Sequence, residues 1–323
     1  MTKIEWVKNA DGTQGKSWNV LAGCSKASPG CLNCYAERMA WRLVNNPATA
    51  KDYEDTIAVT SAGPRWSGKV NLLYRRLGQP MWRKKPTIYF VCSMADLFHP
   101  TVRAAFIVNV YEAMAACPQH TFIVCTKRPG RIVPVLYGPE GHWYLGGGDS
   151  LPNVWHLVSV ENRECADRRI PELLQLREMA QGWPVLGVSA EPLLEPIDLQ
   201  SHLGTWTDGA PYIMRGHETV HLDAPTGGLP KYSHLYTAMA KTPDSFLVKR
   251  GLDWVICGAE SGPGARPMDL DWARTLKNQC QAAGVPYFLK QAQINGKLVK
   301  MPELDGRQWA EMPGDEYDRT YTK

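Results

Sequence analysis

Between residues 86 and 290 the chain repeats one arrangement: a short apolar, β-branched run ends in polar residues, and a helical stretch follows. The runs are TIYFVCS (87–93), TFIVCT (121–126), VWHLVSV (154–160), PVLGVSA (184–190), DWVICGA (253–259) and PYFLK (286–290). Apolar runs of about four to eight residues without strict alternation mark strands buried on both faces of a parallel sheet. Helices are expected over residues 101–116, 164–180 and 269–283, with a short one after KRPGR. A first strand over 17–22 brings the strand count to seven. Strands alternating with helices form βαβ units. The fold class is therefore α/β, and seven or eight such units in 323 residues fit a (βα) barrel, whole or partial and TIM-like, better than a doubly wound open sheet.

Two segments break the pattern. Residues 45–86 are rich in Pro, Gly and Arg and read as an excursion between the first helix and the second strand. Residues 200–250 have no helical period and read as an insertion after the fifth strand. One barrel domain over 1–300, carrying that insertion, and a polar C-terminal tail over 301–323 are expected.

Composition narrows the class. Hydrophobic residues at 44% and charged residues at 21% are ordinary for a globular chain, so disorder is not the default. A net charge of +4 admits a polyanionic partner without requiring one. No apolar run approaches the roughly 18 residues of a membrane span. The opening MTKIEWVKNADG lacks the apolar core of a signal peptide. A cytoplasmic protein with no membrane partner is expected, in a compartment where thiols stay reduced. The nine cysteines are an odd count, which argues against a disulfide framework. Cys92, Cys125 and Cys257 lie inside strand-like runs and read as small apolar packing residues.

Three cysteines stand apart. GCSKASPGCLNCYAERMAWRL spaces Cys24, Cys31 and Cys34 as Cys-x6-Cys-x2-Cys. Thiolates suit soft metals and iron–sulfur clusters. Three of them can hold three irons of a [4Fe–4S] cube and leave the fourth open. A structural zinc would want a fourth Cys or His at comparable spacing, and none follows before Cys92. A zinc knuckle completed by a distant ligand and a chance cluster are the alternatives. The segment after Cys31 reads as a helix, whose N-terminal N–H groups favour an anionic group.

The blocks KIEW, SWNV, PGCLNCYAERMA, VCSMADLFHP, TKRPGR, SAEPLLEPIDL, DWVICGAESGPGARPMD and AGVPYFLKQ together resemble the phage and prophage three-cysteine proteins of unassigned function, described as radical-SAM-related. The resemblance covers roughly 3–40 and 80–295 and leaves out the insertion. It implies a barrel of radical SAM type. It also implies a [4Fe–4S] cluster on the three cysteines, S-adenosylmethionine (SAM) cleaved reductively to a carbon radical, and an electron donor for the cluster. The six-residue first gap departs from the three-residue gap usual in radical SAM enzymes. Tyr35 after the last cysteine is similar to the Cys-Tyr of DNA-repair radical SAM lyases.

In a barrel of this type the active site lies at the C-terminal ends of the strands. Those ends carry Ser93 and Asp96, then Thr126, Lys127 and Arg128, then Ser159, Glu161 and Asn162, then Ser189 and Glu191, then Glu260 and Ser261, then Lys290 and Gln291. Glu161 and Asn162 are the first candidates to contact a SAM-like ligand, with Ser159, Glu191, Glu260, Arg128 and Lys290 around it. Asp96, His99 and Lys127 are the catalytic candidates. Arg266, in a Gly/Pro loop, could reach a phosphate. Mutual pairing of these charges is the alternative at each position.

The mild positive charge and the basic-flanked tryptophans of PRWSGK and PMWRKK tilt the substrate towards nucleic acid or a nucleotide, because aromatics can stack on bases. Packing with solvated charges is the plainer reading of each. A non-catalytic, metal-stabilised protein binding nucleic acid or another partner is the second function. A zinc protease is the third: HETVH over 217–221 matches H-E-x-x-H, with His217 and His221 as ligands and Glu218 as base. The flanking Gly216 and Pro225 and the β-branched Thr219 and Val220 favour a hairpin there over the helix that chemistry needs.

Overall fold

The computed structural model describes residues 4–61, 63–138, 151–179, 184–203 and 251–313, together with the backbone of 212–215 and 218–221. Its centre is an eight-stranded sheet: β1 (Lys16–Trp18), β2 (Ile88–Val91), β3 (Thr121–Thr126), β4 (Val154–Ser159), β5 (Val185–Ala190), β6 (Trp254–Gly258), β7 (Tyr287–Ile294) and β8 (Lys297–Lys300). The strands lie side by side in chain order. The first seven are parallel to their neighbours, and β8 returns antiparallel along β7. Sequential parallel order with the native twist curls a sheet towards a barrel. Among the described residues β1 and β8 do not pair with each other, so the sheet is a curled half-barrel.

The crossovers carry α1 (Tyr35–Val44), α2 (Ala104–Ala115), α3 (Ile132–Leu136), α4 (Arg163–Leu174) and α5 (Leu270–Ala282). Alternate strand residues such as Phe122, Val124, Val158, Val188 and Val255 share one core with these helices. The residues between them, Ile123, Leu157, Trp254, Ile256 and Phe288, form a second core. Trp6 and Val7 plug that inner side, with the Trp6 ring edge-on to Phe90 at 4.8 Å and to Trp254 at 6.0 Å. Both faces are thus apolar, as the unalternating runs require.

The expected strands and helices all form within a few residues of their predicted bounds, and the differences have local causes. The strand expected over 17–22 stops at Trp18, because the Asn19 side chain turns to accept from Ser93 Oγ and the Met94 N–H. Leu21–Ala22 then leaves to pair with Asn71–Leu72. The strand expected to end at 290 runs on to Ile294 and folds back as β8. Asn295 and Gly296 both have positive φ there (51° and 73°), the conformation of a two-residue hairpin turn, and Asn-Gly is its strongest sequence signal. Within the tail, Leu304 and Trp309 are buried, and Trp309 accepts the Leu289 N–H through its carbonyl.

In the 200–250 segment, Tyr212–Arg215 and Glu218–His221 pair as an antiparallel hairpin. Glu218–His221 is a strand, so the helix that a zinc protease needs does not form there; His217 lies outside the described residues. No described helix is long and apolar enough to cross a membrane.

Candidate functional site

Side chains alternate along a strand, so the inner face can be followed upward two residues at a time. From the apolar layer of Ile123, Leu157 and Phe288 it reaches Lys127, Ser159 and Lys290, with Ser189 in register beside Ser159. The floor of the half-barrel is greasy and its C-terminal mouth is polar.

The cysteine loop lies across this mouth. It leaves Leu21–Ala22 through Gly23 (φ 96°), passes Cys24, makes a 3-10 turn over Pro29–Cys31 and enters α1 directly after Cys34. All three thiols are free and half-buried. Glu161 accepts the Gly30 N–H at 3.1 Å. A Cβ on Gly30 would stand 2.9 Å from the Glu161 carboxyl carbon, so only glycine lets the loop come this close. Arg128 donates to the Ser25 carbonyl at 3.0 Å and to Asp96 at 2.7 Å. Arg266 donates to the Pro29 carbonyl at 3.1 Å and to Glu260 at 2.9 Å. Asn33 donates to the same Glu260 at 2.9 Å. His99 Nε2 meets Ser25 Oγ at 2.7 Å, and the Tyr35 hydroxyl donates to the Ser93 carbonyl. The loop is therefore tied to the ends of β2, β3, β4 and β6.

Electrostatics tighten the seat. Glu161 is fully buried between Lys127 (3.1 Å) and Arg169 (3.0 Å). Burial opposes its ionisation, yet Lys127, Arg169 and the Gly30 N–H hold its carboxyl down at about 2. Burial, helped by Asp96, pushes the Cys24 thiol up to about 12, while Arg128 and the charge of Cys34 also act on it. Burial raises Cys34 as well, against the N–H groups of Glu37 and Ala36 at the start of α1. Burial and the neighbouring Arg128 lower His99, which keeps its ring neutral near pH 7.

The expected site residues do converge, but several are spent on one another. Asp96 accepts from Thr126 Oγ1, Arg128, the Lys127 N–H and the Phe98 N–H, which fills its two oxygens. Through Arg128 it ties the cysteine loop to the end of β3. Glu161, expected at a ligand, is instead the buried anchor of Gly30. Asn162 caps α4, its side chain accepting the Cys165 N–H at 2.9 Å. Arg266, expected at a phosphate, pairs with Glu260. Lys127 bonds Ser159 Oγ (2.7 Å) and Glu161, and keeps a third N–H. Glu191 pairs with Lys290 beside Gly258.

Sequence reasoning missed Ser25, Asn33 and Arg169. Ser25 and Asn33 sit between the cysteines, where a polar residue on a crowded loop is a fair candidate tie. Arg169 gave no signal, since a basic residue on a helix normally faces water.

The donor set can be tested against the implied cluster. Cys24, Cys31 and Cys34 are soft ligands on one short loop, close enough to sense one another's charge, with Arg128 beside Cys24 and Cys31. That set fits an anionic iron–sulfur group. Among the described residues no three or more His, Cys, Asp or Glu are gathered around a one-ion site. A four-iron cube is larger than an ion and takes thiolates set farther apart.

Fold and site together define a parallel α/β half-barrel with a three-thiol loop strapped over its C-terminal mouth. The chain belongs to the DUF5131 family, described as a protein of unknown function, whose model matches residues 1–313. No curated protein matches it. One solved structure resembles it loosely: a double mutant of spore photoproduct lyase with bound AdoMet and dinucleoside spore photoproduct, at 10% identity and a TM-score of 0.35, covering 94% of this chain and 70% of that one.

Proposed function

We propose that this protein is a radical-SAM-type enzyme whose [4Fe–4S] cluster is held by Cys24, Cys31 and Cys34, and whose substrate is a nucleic acid or nucleotide. The observation that carries the reading is the loop itself: three half-buried thiols on a strap tied to four strand ends over a polar mouth. When bound, a cluster with one iron left free by three thiolates supplies an electron, from an external donor, and a seat for SAM.

The chain's own groups do the rest. Arg128 offsets thiolate charge at Cys24 and Cys31. The Gly30 contact with Glu161 fixes the loop, and Trp6 and Val7 close the floor to water. Lys127, with its spare N–H, and the Lys290–Glu191 pair offer a cation and a carboxylate to a zwitterion's own carboxylate and ammonium. The half-buried thiols must lose protons to bind metal, so loading releases protons and is favoured by higher pH.

Anaerobic purification with iron, sulfide and zinc assays, and electron paramagnetic resonance of the reduced protein with and without SAM, tests the reading. About four irons per chain are expected from the three-thiol cube. They should be lost on changing the three cysteines to Ala, and SAM should alter the spectrum. Zinc alone, or a cluster blind to SAM, overturns it and leaves a metal-stabilised binding protein.

A further inference from the structure

A second concentration of chemistry lies outside the mouth, at the other end of the edge strand β1. Lys16, the first residue of β1, lines an open pocket of about 640 Å3 together with Gln79, the Trp82–Lys85 run and Tyr89. Its wall carries Arg83, Lys84, Lys85 and the Trp82 ring. Trp82 is 76% exposed, the highest figure among the large apolar side chains of the described residues, with Met81 beside it at 50%. A ring that far in water contributes almost nothing to the core.

The backbone beneath it is nonetheless firmly held. His120 Nε2 meets the Pro80 carbonyl at 3.1 Å, and Gln119 reaches the Arg83 carbonyl. Thr87 Oγ1 donates to the Lys85 carbonyl at 2.9 Å and accepts from Arg83 Nε at 2.5 Å. The ledge is fixed while Trp82, Lys84, Lys85 and Lys16 are exposed. Lys85 pairs with Asp11, but among the described residues no carboxylate forms an ion pair with Lys16, Arg83 or Lys84.

We propose that this ledge binds single-stranded nucleic acid, with Trp82 stacking on a base and Lys16, Arg83, Lys84 and Lys85 meeting the flanking phosphates. An exposed aromatic face among cations matches the two needs of a single strand, a stacking platform and a basic track. Paired bases in a duplex would not offer a face to Trp82. The same segment runs on towards the mouth: Trp18 Nε1 donates to the Arg76 carbonyl at 2.8 Å and Arg76 to the Asn19 carbonyl at 3.0 Å. Asn19 in turn holds Ser93, to whose carbonyl Tyr35 donates. These bonds hold the sheet edge that separates the ledge from the cysteine loop. The proposal shares with the reading above only its class of ligand, nucleic acid; binding at the ledge needs no cluster.

The test is fluorescence anisotropy of the purified full-length protein with a labelled single-stranded DNA of about a dozen nucleotides, across a salt series. Four cations on a single strand predict a slope of log affinity against log salt near about −3. Trp82→Ala should weaken binding roughly ten-fold, the loss of one stacked base. Lys84→Glu with Lys85→Glu should flatten the slope. Trp82 and both lysines are exposed, so these variants should keep the wild-type circular dichroism. Binding that ignores the Trp82 change, or a slope unmoved by the lysine changes, overturns the ledge. Trp82-dependent binding by protein that never takes up iron leaves the ledge standing and sinks the enzyme. Iron and a SAM response with no oligonucleotide binding do the reverse.

Discussion

Cations gather in two regions of this molecule. Around the mouth, Lys127 and Arg169 bond Glu161, Arg128 bonds Asp96, Arg266 bonds Glu260 and Lys290 bonds Glu191. On the ledge of Gln79–Lys85, Lys16, Arg83 and Lys84 stand without an ion-pair partner among the described residues. The mouth is buried and the ledge is wet, and that difference sets what each charge can do. A charge taken out of water must be paired or it is prohibitively costly, so the mouth's charges hold the loop and one another. A charge left in water needs no partner and stays open to a phosphate. The mouth's charges should therefore read out as stability, and the ledge's as binding.

The largest effect should come from Glu161→Ala. It strips the Lys127–Glu161–Arg169 network of its anion and leaves Arg169, itself 1% exposed, without that pairing. Breaking a buried pair from one side costs about 3–5 kcal/mol. Urea unfolding should show that loss, while Lys84→Ala on the ledge should stay within about 0.5 kcal/mol of wild type. Equal effects at the two positions would erase the distinction.

Acid should separate the mouth from the core behind it. His156 is fully buried against Tyr111 (Nε2 to hydroxyl 2.8 Å), and burial, with Arg177 adding to it, lowers its ring to about 4. The unfolded chain takes this proton first, near 6.5. The stability is therefore present above that pH and lost as pH falls towards about 4, roughly 3 kcal/mol in all. Glu161 follows in a lower window. Its folded value of about 2 lies below the ordinary 4.5, so its contribution holds above 4.5 and fades as pH falls towards 2. A pH series of unfolding free energies should show both steps, with His156→Phe removing the first and Glu161→Gln flattening the second. A single step at one pH would mean that the two regions are not independent.

The fold was legible because its strands are buried on both faces, and such runs announce themselves. TFIVCT and VWHLVSV became β3 and β4 at almost their expected bounds. The position of the site was legible for the same reason, since parallel strands point their polar ends one way. The pairing inside the site was not. Whether Glu161 faces a ligand or the Gly30 N–H depends on how a loop about 130 residues earlier lies across the mouth, and no local pattern encodes that. Asn162 shows the nearer limit: a polar residue opening a helix is also a cap, and its side-chain oxygen accepts the Cys165 N–H.

The subtlest expected effect lies at the rim, where mouth and solvent meet. Arg266 bonds Glu260 through Nε and its backbone N–H and holds the Pro29 carbonyl through Nη2. Its side chain is 29% exposed, so the ion pair itself should be worth at most about 1 kcal/mol. Arg266→Lys keeps the charge but loses the planar fork that reaches two acceptors at once. Unfolding should then change little, while Pro29 loses its tie and the 3-10 turn ending at Cys31 loosens. The discriminating readout is the rate at which Cys24, Cys31 and Cys34 react with a thiol reagent in metal-free protein. A faster rate at unchanged stability would show that the rim pair positions the thiols. An unchanged rate would mean that Gly30 on Glu161 and Ser25 under Arg128 hold the loop alone, and that the mouth's cations matter only where water cannot reach them.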